Sequence, residues 1–79
     1  MFAMEILVFK TNVSDRGHIE SVRPHLRKLD DILKWNFDLL DEDYILRIEA
    51  TNRLNPREVE RALYQAGYDC QVLQTFSGA

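Results

Sequence analysis

The side chains that could do chemistry in this 79-residue chain are few and lie in three places. Asp15-Arg16-Gly17-His18 sets a carboxylate and an imidazole three residues apart, Cys70 supplies the one thiol, and Asp41-Glu42-Asp43 puts three carboxylates in a row. Asp15 and His18 could share a borderline cation, but zinc takes three or four ligands and only two stand here. Asp15 reads more simply as a helix N-cap, with His18 a solvated side chain of the first turn. Cys70 is far along the chain. A last strand lying beside the first could bring it closer, although a free cysteine commonly serves as a small buried hydrophobe. The acidic triplet lacks the twelve-residue ligand spacing and mid-loop glycine of a calcium loop, so it reads as a solvated turn.

Other sites are poorer still. Arg23, His25, Arg27 and Lys28 form a basic patch that could meet phosphate. A net charge of −3 and the lack of an aromatic run argue against nucleic acid. Trp35 falls in an alternating apolar register, which suits a core position better than a stacking platform. No nucleophile and base stand at a characteristic spacing, and Walker, dinucleotide and zinc-hydrolase motifs are absent. The expectation is a chain that is not an enzyme and carries no cofactor.

The elements that must position these groups belong to one small domain spanning 1–79, with a core over 4–73 and a frayed tail over 74–79. The chain is 46% apolar and 29% charged, with three Gly and two Pro, so it reads as folded and soluble. A single cysteine rules out an intramolecular disulfide and fits a reducing compartment. The apolar start Phe2–Phe9 is too short to span a membrane and lacks the basic n-region of a signal peptide. A cytoplasmic protein without a membrane partner is expected. Charge is uneven: residues 14–28 carry four basic and two acidic side chains, and 30–49 seven acidic and two basic.

Met4–Lys10 predicts a strand apolar on both faces, Met4, Ile6 and Val8 against Leu7 and Phe9. A helix follows the Thr11–Asp15 turn, with Ile19, Val22, Leu26 and Leu29 as its apolar stripe. Pro24 either kinks that helix or sits in its first turn if it begins near Ser21; a kink is the favoured reading. Ile32–Leu40 and Tyr44–Ala50 alternate with period two and flank the acidic turn as a hairpin. A second helix starts at Asn55, with Pro56 at its first position and Glu58 completing a capping box, and stops at Gly67. Tyr68–Leu73 closes the chain as a short strand.

The order β-α-β-β-α-β, with right-handed crossovers, predicts an α+β ferredoxin-like sandwich: a four-stranded antiparallel sheet with two helices on one face. Its other face stays open. Leu7 and Phe9 are expected there as an interaction surface for a protein partner or a second copy.

The pattern over residues 4–73 resembles the heavy-metal-associated domains. Ile32, Trp35, Phe37 and Leu39 resemble that family's second strand, and Gly67-Tyr68-Asp69-Cys70 its closing step. In the family, a Met-x-Cys-x-x-Cys loop follows the first strand and binds Cu(I) or Zn(II) through two thiolates. Aligning Val22 and Leu26 with the family's helix positions places Val13 at the methionine, and Asp15 and His18 at the cysteines. The resemblance therefore implies the fold with its soft-metal chemistry missing, and Arg16 between the two positions repels a cation. The expected function is a non-enzymatic binding or interaction module, acting on a protein partner or as a homodimer. The alternative is a weak zinc, copper or small-anion binder at loop 13–18, using Asp15 and His18, with Cys70 or Arg16 as a further candidate.

Overall fold

Alternation and caps place six elements along the chain: β1 (Met4–Thr11), α1 (Arg16–Arg27), β2 (Ile32–Asp38), β3 (Ile45–Thr51), α2 (Pro56–Ala66) and β4 (Cys70–Gly78). The computed structural model describes residues 4–51 and 53–78, and of residues 77 and 78 the backbone alone. Met1–Ala3, Asn52 and Ala79, included in the expected domain, lie outside the described residues. The strands form one antiparallel sheet in the order β2-β3-β1-β4. This is the ferredoxin-like βαββαβ arrangement expected, with β1 interior and β2 and β4 at the edges.

Both helices begin where short polar side chains satisfy their free amides. The Asp15 carboxylate accepts from His18 N–H at 2.8 Å. In α2 the reciprocal box is complete: Arg57 N–H donates to Asn55 Oδ1 at 2.9 Å, and Asn55 N–H donates to Glu58 Oε2 at 3.0 Å. Gly67 ends α2 at φ +96°, a left-handed conformation that costs a residue without Cβ little. The first helix runs from Arg16 through Pro24, so the start near Ser21 is not taken. Pro24 is exposed, so the Glu20 carbonyl it leaves without an amide faces the solvent side.

Strand boundaries differ from expectation, most by one or two residues. The second strand stops at Asp38, because Asp38 Oδ1 accepts from Leu40 N–H at 3.0 Å and turns the chain; Leu40 is 98% exposed. The tail expected to fray after Leu73 instead extends β4 to Gly78, paired with β1 as far as Met4. Backbone pairing along a central strand holds a stretch whose own polar composition gave little strand signal.

The placement of Leu7 and Phe9 corrects the sequence reading. Both are fully buried under the helices, with Val22, Leu26, Leu46, Ile48, Val59 and Leu63. Their antiparallel partners decide this. Leu7 sits opposite Ile48 and Phe9 opposite Leu46, whereas Ile6 and Val8 sit opposite Glu49 and Arg47. Directly opposed residues share a face, so β1 had to turn Leu7 and Phe9 toward the side where β3 is apolar. The open face carries Ile6 and Val8 instead, joined by Phe76, which is 50% exposed, opposite Ile6.

Candidate functional site

The loop between β1 and α1 is held from both sides. Thr11, buried at the end of β1, donates its hydroxyl to Tyr44 C=O at 2.7 Å and accepts from Val13 N–H at 3.1 Å. Val13 is fully buried in the core. Farther along, Asn12 Oδ1 accepts from Asp69 N–H at 2.8 Å and ties the loop to the start of β4. The Asp15–His18 pair is thus presented on a fixed turn at the first turn of α1.

The two side chains are already committed to that turn. Ser14 N–H donates to His18 Nδ1 at 3.2 Å, which leaves the ring proton of the neutral imidazole on Nε2. Nε2 lies 3.5 Å from Asp15 Oδ2, while Asp15 Oδ1 accepts from His18 N–H. The ring also stacks at a tilt on Tyr68, with centroids 5.1 Å apart. A separation of 3.5 Å would suit two ligands of one ion. However, no group of three or more His, Cys, Asp or Glu converges anywhere among the described residues. The site offers one carboxylate and one imidazole, which fits neither the three or four ligands of zinc nor the soft thiolates of Cu(I).

Cys70 does not join them. It pairs with Thr11 across the β1–β4 ladder and is 7% exposed within the core cluster. Burial, with the nearby Glu60 carboxylate adding to it, pushes its thiol up to about 12. A thiol so far from ionisation is neither a ready nucleophile nor a ready metal ligand. A depression beside it is lined by Asn12, Tyr64 and Asp69 with Lys10 and the ends of β1 and β4.

The other sequence candidates resolve into local structure. Asp41 caps its own turn, accepting from Asp43 N–H at 2.8 Å, and Asp43 meets Lys10 at 3.7 Å. Arg23 donates to Glu20 at 2.9 Å, and that pairing lowers the glutamate's pKa and raises the arginine's. The Arg23 guanidinium also lies 5.2 Å over Trp35, which packs edge-on against Phe37 and, as expected, against the core.

What sequence reasoning missed is the apolar strip on the open side of β1 and β4: Ile6, Val8 and Phe76. A register shift leaves Leu73 without a partner between Val72 and Gln74, and Leu73 is 47% exposed. The strip is bordered by Arg47 and Glu49 of β3. The signal was present in the charged alternates of β3, which mark the wetter face.

No protein-family profile matches the chain. No curated protein matches it in sequence. Solved structures do match in shape. The yeast copper transporter domain Ccc2A superposes with a TM-score of 0.75 at 14% identity, over 89% of this chain and 96% of that one. The first domain of the human copper chaperone for SOD1 gives 0.73 at 19% identity, over 92% and 97%. The N-terminal domain of ZntA gives 0.71 at 22%, over 90% and 94%. The chain therefore has the fold of the heavy-metal-associated domains, as its sequence pattern implied.

Proposed function

We propose that this chain is a non-enzymatic interaction module that keeps a heavy-metal-associated fold without a thiolate metal site. The observation that carries the reading is the state of the first loop. Where the resemblance places two cysteines, Asp15 and His18 spend their polar atoms on the start of α1. The similar domains are described as copper transporter and copper chaperone domains; no group of three or more such donors converges among the described residues of this chain. The structure supplies instead an apolar strip on the sheet face opposite the helices, of the kind that meets another protein.

A competition titration of the reduced protein with Cu(I) and Zn(II) against a chelator tests the reading. No competition is expected at micromolar metal. Stoichiometric binding tighter than micromolar would overturn it, because Asp15 and His18 would then have to recruit further ligands.

A further inference from the structure

The two edges of the sheet are built differently. An edge strand turns every second N–H and C=O away from the sheet, and proteins guard such edges with charges, bulges or covering side chains. The β2 edge carries Lys34 and Asp38 and is broken by a register shift that leaves Leu33 out of the ladder. The β4 edge, Cys-Gln-Val-Leu-Gln-Thr-Phe-Ser-Gly, has neither a charged residue nor a proline along its nine residues. Its first half is guarded from α2, where Glu60 Oε2 accepts from Val72 N–H at 3.0 Å. Beyond the Leu73 register shift nothing comparable among the described residues covers Gln74–Phe76, and the strand continues to Gly78.

Resting on the reading of the chain as an interaction module, we propose that a second copy of this chain pairs antiparallel with β4 along Gln74–Phe76, about a two-fold axis at Thr75, joining two four-stranded sheets into one. Two-fold antiparallel pairing sets a segment against its own reverse, so a charge on the axis meets its like. The uncharged composition of β4 avoids that penalty in every register, and the β2 edge meets it wherever Lys34 or Asp38 falls on the axis. A register centred on Thr75 sets Phe76 of one copy opposite Gln74 of the other, both on the open face. It brings the two half-exposed Phe76 rings toward one axis, extending the strip begun by Ile6 and Val8. The paired stretch is short, so the dimer is weak, with half-association at roughly 10–100 μM, as suits an interface at the small end of the range.

Sedimentation equilibrium of the whole chain tests this. The expected result is a mass rising from 9.3 kDa towards twice that value with concentration. Because each copy carries −3, added salt should leave the association unchanged or strengthen it. Thr75→Lys and Thr75→Glu should each weaken association at least about tenfold, since like charges meet at the axis, and an equimolar mixture of the two should restore it. Circular dichroism and thermal melting of each variant establish that it is folded. A wild type that stays at 9.3 kDa into the millimolar range overturns the pairing. So does a mixture that fails to restore association between folded variants. Neither outcome touches the metal titration, which decides the broader reading separately.

Discussion

Two phenylalanines measure the difference between the faces of this sheet. Phe9 is fully buried under the helices, and Phe76 is 50% exposed on the opposite side. Both belong to strands paired in the same ladder, and neither differs from the other in chemistry. Fold stability is therefore concentrated on one face, where both helices dock. The other face keeps apolar surface in water, a cost a small domain has little margin to carry. That contrast separates residues that hold the fold from residues free to meet a partner.

The largest effect expected is at the covered face. Phe9→Ala should lower unfolding stability by about 3–5 kcal/mol, read by urea denaturation, because it leaves a cavity in a close-packed core. Phe76→Ala should lose only about 1 kcal/mol, since half of the ring already faces water. Equal losses at the two positions would erase the distinction between the faces.

The helix starts that support the covered face come next. Asn55→Ala removes one arm of the α2 capping box and should cost about 1 kcal/mol. Asp15→Asn keeps a capping oxygen and should cost a few tenths of a kcal/mol in the same assay. A markedly larger loss at Asp15, or a stability that rises with added Zn(II), would show that the first loop does more than start a helix.

The smallest effect at neutral pH concerns Cys70. Its thiol is held up to about 12, so the folded state favours the protonated form. The unfolded chain releases that proton near the ordinary thiol pKa, about 8.5. The stabilisation is therefore fully present below that pH and is lost as pH rises toward 12. A Cys70→Ala variant should lack this alkaline decline in denaturant midpoint, and the wild-type thiol should alkylate slowly at pH 8 unless the protein is unfolded. Rapid alkylation of the folded protein would place Cys70 nearer the surface than the ladder puts it.

Much of the scaffold was legible because local signals agreed. Asn55, Pro56, Glu58 and Gly67 bound α2 as their types require, and Leu46, Ile48 and Ala50 marked the buried side of β3 by alternation. The committed state of His18 was not legible, since it depends on Ser14 N–H and the Tyr68 ring, the latter fifty residues away. The face assigned to Leu7 and Phe9 went astray because β1 is apolar on both sides, and a period of two is then silent about which side is which.

By itself the sequence determined the order of elements, the ferredoxin-like class and the loss of the thiolate pair, because each follows from residue types at short spacing. Tertiary structure alone decided which face of β1 is buried, how far β4 runs and which edge is left open. Those properties belong to the pairing between strands: cross-strand partners fix a shared face and supply a backbone ladder, and no single segment carries that information within itself.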